Sequence, residues 1–249
     1  MSSPDTALEL QLESFVFPGD SRQILWEVGL RLGRRERIAI MGSSGSGKTT
    51  LLKICAGLRG YGLSKGNCAR SGRFSMLFQD NVLLDYLSVQ RNITLPSALN
   101  GGEHDVREIS RSLHIEHLLE SFPRRLSGGE RKRVALARGL AYPDLSGLIM
   151  DEPFVALDLF LKESILVDLK NRLDKAALAC LFSTHSAEEA VYLADRIIIL
   201  GGTPSTIAHS IPVDLPRDQG PLAFQQEAFQ RMVFDVAAAM RSMNLPISL

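Results

Sequence analysis

The chain has no excess of charge: 28 Lys and Arg stand against 28 Asp and Glu in 249 residues. That balance supplies no electrostatic footprint for nucleic acid, whose binders usually carry a basic surface, and no nucleic-acid partner is expected. Cysteine is scarce. Cys55, Cys68 and Cys180 are scattered and odd in number, with no metal spacing and no disulfide framework, which suits a reducing cytoplasm. No apolar run approaches the ~20 residues that a bilayer-crossing helix needs, so work at a membrane would require docking on another protein there. Residues 1–6 lack a basic start leading into an apolar stretch, and no signal peptide is expected. Apolar residues make up 45% of the chain, enough for a core in one α/β domain or two small lobes.

What the chain does have is one glycine-rich stretch. Gly42, Ser43, Ser44, Gly45, Ser46, Gly47, Lys48, Thr49 and Thr50 follow one another, and the P-loop pattern G-x-x-x-x-G-K-[ST] is met by Gly42, Gly47, Lys48 and Thr49. The apolar run 37–41 before it reads as a buried strand, and 51–56 after it as a helix. A Gly/Ser-rich surface turn would lack that context. The glycines let backbone N–H groups turn inward around a phosphate, and the helix N-terminus adds positive potential. Lys48 is then in reach of the outer phosphates, and the Thr49 hydroxyl completes a Mg2+ shell. The stretch predicts a nucleotide site.

Before it, Leu8, Leu10 and Leu12 alternate with Glu9, Gln11 and Glu13, the period of a half-buried strand. The strand continues through Phe15 and Phe17 and breaks at Pro18, Gly19 and Asp20. A second strand over 24–32 makes an antiparallel ribbon. Phe17 is placed to stack on a purine ring; ordinary sheet packing competes with that reading, and Phe15 competes for the role. Residues 58–73 read as irregular. A short strand over 74–78 ends at Gln79, a residue type that can orient water and touch Mg2+. From 82 to 119 the pattern is helical. Ser88 is a candidate cap for a helix that Pro96 is expected to stop, and Val106, Ile109, Leu113 and Ile115 share a further helical face. His114 and His117 could suggest a metal pair, but no third ligand accompanies them, so a solvated surface is expected.

Leu126, Ser127, Gly128, Gly129 and Glu130 open another helix. A Ser-Gly-Gly helix start is a second anion site; the plainer reading is an N-cap by Ser127. The apolar strand 148–150 ends in Asp151 and Glu152. An acid in the first position fits the Mg2+-holding Asp of P-loop enzymes, and Glu152, pointing elsewhere, can accept a proton from water. Ionised carboxylates beside a buried strand are costly without partners, which favours a site over surface polarity. Ala156, Leu157 and Asp158 form a turn, and 161–173 a helix with Ile165, Leu166 and Leu169 inward. A buried strand over 177–183 exits at Thr184, His185 and Ser186. His185 there can contact a γ-phosphate, a structural His being the alternative, while Ser186 and Glu189 have capping-box spacing. Residues 196–200 are the last strong strand and 210–220 are extended. Phe229, Met232, Val233, Val236 and Met240 share one face of a helix over about 222–243.

Taken in order, the P-loop, Gln79, the Leu126–Glu130 signature, Asp151 with Glu152, the 156–158 turn and His185 resemble the nucleotide-binding subunits of ATP-binding cassette (ABC) transporters over about residues 8–215. The LSGG signature separates that family from other P-loop ATPases. The resemblance implies an α/β fold: a P-loop NTPase core with a mainly parallel sheet, an antiparallel β ribbon lobe and an inserted helical subdomain. It implies one domain over 1–249, with core and ribbon at 8–79 and 141–215, the helical subdomain at about 80–140 and the C-terminal helix at about 222–243. It implies ATP and Mg2+ as cofactors. Phe17, the P-loop residues 42–50, Ser127, Gly128, Gly129 and Asp158 would bind ATP. Thr49, Gln79 and Asp151 would hold the metal, and Glu152, His185 and Gln79 would be catalytic.

The resemblance also implies partners. A homodimer, or a pair with a similar subunit, would sandwich two ATP between the P-loop of one and the signature of the other. An integral membrane permease would dock near 80–92, a solute-binding protein would complete the system, and the assembly would sit on the cytoplasmic side of the inner membrane. Phe78-Gln79, Leu83-Leu84, Asn92-Ile93 and the tail 211–216 look like nitrate/sulfonate/taurine importers. Uptake of a small solute is therefore the expected function, export or lipid movement the alternative. A soluble cassette acting on nucleic acid or ribosomes would usually bring coiled coils, zinc modules or a second cassette. The chain departs from the family pattern in a short 58–78 segment, Glu130 for Gln, Gly139 for Ala and Val155 for Ser. None removes a group that touches phosphate or metal, so an active ATPase is expected.

Overall fold

The computed structural model describes residues 5–61, 65–101, 105–155, 157, 159–216 and 221–243. In chain order its elements are β1 (Thr6–Val16), β2 (Gln23–Gly33), β3 (Arg37–Met41), α1 (Lys48–Ala56), β4 (Lys65–Arg70), β5 (Arg73–Leu77), α2 (Val89–Asn100), α3 (Val106–Ser112) and α4 (Gly128–Leu140). There follow β6 (Leu145–Asp151), α5 (Leu159–Lys175), β7 (Ala179–Ser183), α6 (Ala187–Leu193), β8 (Arg196–Gly201), β9 (Thr206–Pro212) and α7 (Glu227–Ser242). The strands make two sheets. One is antiparallel, in the order β2-β1-β4; the other runs β5-β6-β7-β3-β8-β9 and is parallel except for β9.

Period-two alternation decides how the layers stack. In β3, Ile38 and Ile40 face the antiparallel sheet and α1, joining Leu8, Leu10, Leu32, Leu51 and Ile54 in one cluster. Ala39 and Met41 face the other way, toward α4, α5, α6 and α7, with Val134, Leu166 and Val236. The neighbours repeat the split: Leu181 and Ile198 go to the first cluster, Phe182 and Ile199 to the second. Strands covered on both faces read as continuous apolar runs, which is why β3, β6, β7 and β8 were legible.

Three elements depart from the sequence expectation. Residues 65–70, read as irregular, form β4, an edge strand held by its backbone to β1 with Leu10 opposite Cys68. Its residues carry no apolar alternation because edge pairing needs main-chain bonds rather than a buried face. Gly66 sits at φ 135°, where an added Cβ would lie 2.2 Å from the Gln11 carbonyl oxygen. Pro96 does not stop α2. Val89, Asn92, Ile93 and Pro96 are buried at helical spacing, so packing against α4 offsets the one backbone bond that proline removes. The polar strand β9 follows β8 as an antiparallel edge, and only its last residues, 210–212, fall in the stretch the sequence marked as extended.

The caps also differ in one place. Ser88 caps α2 as expected, accepting from the Arg91 N–H at 3.3 Å. At α6, Ser186 Oγ accepts from the Glu189 N–H at 3.3 Å, but the Glu189 carboxylate turns to the Thr184 hydroxyl and to Lys162, 3.2 Å away. The box is thus half formed, because a buried carboxylate gains more from a cation than from one N–H. α7 buries Phe229, Val233, Val236 and Met240, while Met232 is only partly buried. Phe224 stacks on Tyr192 of α6 at 4.5 Å.

Candidate active site

β3, β7 and β6 are parallel neighbours, so the segments leaving their carboxyl ends meet at one edge of the sheet, where open α/β sheets bind ligands. The P-loop leaves β3. Gly42 has φ 151°, and a Cβ there would lie 2.7 Å from Ser46 Oγ and 2.8 Å from the Leu200 carbonyl oxygen, so only glycine fits. Gly47, at φ 84°, turns the chain into α1. Lys48 folds back over the loop: its Nζ donates to the carbonyl oxygens of Gly42 at 3.0 Å and Ser43 at 2.9 Å. Burial lowers the Lys48 pKa, while Glu152 and Asp151 act to raise it. The Ser46 hydroxyl is buried with no hydrogen-bond partner among the described residues.

The acids leave β6. The Thr49 hydroxyl donates to Asp151 Oδ2 at 2.7 Å, and the Ser183 hydroxyl donates to Asp151 Oδ1 at 2.7 Å. Ser183 Oγ also accepts the Glu152 N–H at 3.0 Å. That bond holds Glu152 at φ 49°, a left-handed conformation rare for a side chain of this size. The turn swings the Glu152 carboxylate away from Asp151 and toward His185, with Oε1 and Nε2 2.9 Å apart.

A cavity of about 390 Å³ gathers most of the expected residues: Phe17, Ser44, Gly45, Gly47, Lys48, Thr49, Thr50, Gln79, Glu152 and His185 line it together with Ile24. Gly42, Ser43, Ser46 and Asp151 adjoin it through the contacts above. Of the two competing aromatics, Phe15 is fully buried and Phe17 reaches the cavity. Phe17 is braced edge-on by Phe15 at 5.0 Å and by Tyr61 at 5.7 Å.

Ser127, Gly128 and Gly129 do not line this cavity. They start α4 in a reciprocal capping box: Ser127 Oγ accepts from the Glu130 N–H at 3.2 Å, and Glu130 Oε2 accepts from the Ser127 N–H at 2.7 Å. Those bonds with Ser127 hold the Glu130 carboxyl below its usual range. Nothing in the structure explains Gly139, since a Cβ there would meet Ser75 Oγ on β5 at 3.4 Å, an ordinary contact. Asp158 lies outside the described residues. Among the described residues no His, Cys, Asp and Glu cluster suits a metal, and His114 Nε2 instead meets Ser164 Oγ at 3.0 Å.

Sequence reasoning missed three contributors. Ser183 is a buried hydroxyl, and a polar residue closing an apolar strand was the available signal for it. Tyr61 braces Phe17 across a sequence gap no motif spans. Lys132, from α4, donates to the Gln79 carbonyl oxygen at 3.0 Å, and burial lowers its pKa. The donors fit a nucleotide with Mg2+: Thr49, Asp151 and the Gln79 amide offer hard oxygens of the kind that ion takes, and the buried Ser46 hydroxyl has no partner among the described residues.

Fold and site together define a P-loop nucleotide-binding cassette. The family model of the ABC transporter matches residues 25–155, and the chain belongs to that family. It is similar to the aliphatic sulfonates import ATP-binding protein SsuB 1 of Pseudomonas syringae pv. syringae, 34% identical over 219 residues, covering 87% of this chain and 90% of that protein. The protein of the same name from Xanthomonas axonopodis pv. citri is 36% identical over 244 residues, covering 90% of this chain and 93% of its own length. Among solved structures, the dimeric bacterial ABC transporter cassette MJ0796 superposes with a TM-score of 0.74 at 24% identity, over 84% of this chain and all of that one. That likeness concerns the fold.

Proposed function

We propose that this chain is the ATP-hydrolysing subunit of an importer, and that the solute it helps to take up is an aliphatic sulfonate or a close chemical relative. The observation that carries the ATPase reading is the convergence of the P-loop, Glu152, Gln79 and His185 on one cavity, with Asp151 bonded to Thr49 beside it. The solute class is supported by the two relatives named for aliphatic sulfonate import.

In this reading the P-loop amides and Lys48 bind the β- and γ-phosphates, with Lys48 leaving the Gly42 and Ser43 carbonyls to do so. Phe17 presents its ring to adenine. Thr49, Asp151 and Gln79 are the groups that would hold Mg2+, which supplies neutralisation of phosphate charge. Ser183 fixes Asp151 and, through the Glu152 N–H, aims the neighbouring carboxylate. Glu152 accepts the proton of the attacking water, and His185 orients Glu152 and the γ-phosphate. The hydroxyl and amides of Ser127, Gly128 and Gly129 point to a partner subunit's ATP, since they lie apart from this chain's own cavity. Asp158 is proposed to contact the partner across that interface. The whole chain acts as one domain, with 80–140 as its helical part.

No helix among the described residues is long and apolar enough to cross a membrane. A permease is the proposed anchor at the cytoplasmic face. Beside the Gln79 segment lies a cavity of about 330 Å³ lined by Phe78, Leu95, Leu99 and Tyr142; Tyr86 and Leu99 are exposed apolar side chains. A permease helix seated there would reach Gln79 through Phe78, the next residue in the chain. A periplasmic-type solute-binding protein would complete the system. The test is hydrolysis by the chain reconstituted with its permease and binding protein in vesicles. Stimulation by an alkanesulfonate, with little by unrelated solutes, is expected; ATP turnover indifferent to sulfonates while another solute stimulates it would overturn the assignment.

A further inference from the structure

Two cysteines far apart in any motif meet in the fold. Cys55 is buried in the last turn of α1, the helix that begins with Lys48 and Thr49. Cys68 is half-buried on the edge strand β4 and packs against the cluster that contains Cys55. The two thiols are close enough that each shifts the ionisation of the other. One guanidinium nitrogen, Arg70 Nη1, joins them from the side: it donates to the Cys55 carbonyl oxygen at 3.1 Å and lies 3.9 Å from Cys68 Sγ. Arg70 spans the end of α1 closely enough that a Cβ on Gly57 would fall 2.4 Å from its Nη2. The cation is thus fixed by the helix C-terminus, whose carbonyls attract it.

We propose that Cys68 is an oxidation site for small hydroperoxides and that Cys55 is its resolving partner, so that the P-loop helix and the antiparallel sheet become joined by a reversible disulfide. The thiolate is the reactive form of cysteine, and the surroundings of Cys68 favour it. The Cys55 S–H bond and the Arg70 charge bring its pKa down to about 7, against burial. The Cys55 thiol is pushed well above its usual range, first by that same bond and then by burial. Its sulfur therefore stays protonated and serves as donor. Cys55 and Arg70 are the titratable and charged groups facing Cys68; its partner on β1 is the apolar Leu10. Cys180, by contrast, is buried and pushed up to about 12.

The chemistry balances with the peroxide as sole oxidant. The Cys68 thiolate attacks one peroxide oxygen, the O–O bond breaks, a sulfenic acid forms, and the other oxygen leaves as hydroxide. The Cys55 sulfur then attacks Cys68 Sγ. The S–S bond forms, the S–O bond breaks, and the oxygen leaves as water with the Cys55 proton. Two thiols lose two electrons and one peroxide gains them; a dithiol reductant reverses the step.

The full chain without ATP is the sample, so the outcome does not depend on the proposed transport role. It is treated with hydrogen peroxide near neutral pH, digested with trypsin and analysed by mass spectrometry. The expected product is a dithiothreitol-sensitive link between the peptides that carry Cys55 and Cys68. Cys55→Ser should leave a dimedone-reactive sulfenic acid on Cys68, and Cys68→Ser should abolish both products. Iodoacetamide labelling of Cys68 in the reduced protein should rise about tenfold from pH 6 to pH 8 and level off above, as a thiol titrating near neutrality does. A Cys68 labelled no faster than Cys180, or only links between separate molecules, would overturn the proposal. So would oxidised Cys68 that never joins Cys55 in a chain whose Cys55→Ser variant is folded.

Discussion

Glu152 Oε1 and His185 Nε2 are 2.9 Å apart, although they leave different strands and stand far apart in the chain. The pairing exists because β6 and β7 are parallel neighbours, with Asp151 opposite Ser183, and because the turn at Glu152 is left-handed. Glu152→Gln keeps the size and the hydrogen bond to His185 but cannot accept a proton. Hydrolysis is expected to fall by roughly 10²- to 10⁴-fold, the range of a lost general base, while ATP binding persists. Phosphate release beside equilibrium nucleotide binding measures both; wild-type turnover in the Gln variant would move the base to another residue.

Among the described residues, Lys48 is the only lysine or arginine lining the cavity, and Lys48→Ala removes that cation. Charge-assisted hydrogen bonds contribute about 1.5–3 kcal/mol each, so ATP affinity should drop by roughly ten- to a hundredfold for each bond lost. Titration with labelled ATP reads it. Near-normal affinity would count against the P-loop assignment.

Ser127 caps α4 outside the cavity, so its proposed ATP belongs to a second subunit. A Lys48→Ala chain mixed with a Ser127→Arg chain places both lesions in one composite site and leaves the other intact. Mixed dimers should hydrolyse ATP well above either mutant homodimer. Activity no higher than the separate mutants, with subunit exchange verified, would argue that each site lies within one chain.

The proposed permease groove can be probed where the fold will tolerate it. Tyr86 and Leu99 are each 75% exposed, so Tyr86→Glu and Leu99→Glu should leave thermal stability and basal hydrolysis unchanged. Both should weaken recruitment to permease-containing vesicles. Leu84 is a poorer probe, because its side chain is partly buried, beside a backbone that Asn92 already holds at 2.9 and 3.0 Å. Full recruitment of both exposed variants would place the contact elsewhere.

Arg37 begins the central strand with its side chain 2% exposed, 3.2 Å from Asp174 and 3.3 Å from Asp195. Removing one partner of a buried ion group costs roughly 3–5 kcal/mol. Both aspartates keep some contact with water, so Arg37→Met should sit at the low end of that range. Urea denaturation measures it; a loss below about 1 kcal/mol, the worth of a surface pair, would mean that the aspartates rehydrate freely.

Local chemistry was enough for much of this protein. The glycine spacing and Lys48 marked the phosphate loop, because only that backbone turn needs those residues. Apolar runs over β3, β6, β7 and β8 were readable because strands buried on both faces leave no polar alternation. Ser88 and Ser127 announced helix starts through caps that act within three residues. What tertiary structure alone decided are the relations between distant segments. Edge strands β4 and β9 bind through main-chain groups that every residue carries, so their side chains gave no sign. Pro96 stayed inside α2 because burial against α4 outweighed a propensity that is local. Phe17 rather than Phe15 faces the cavity because the sheet buries one and exposes the other. The Cys55–Cys68 contact, invisible as spacing, arises where β4 passes the end of α1. Sequence fixes what a segment prefers to be; which groups meet depends on free energies summed over the whole core.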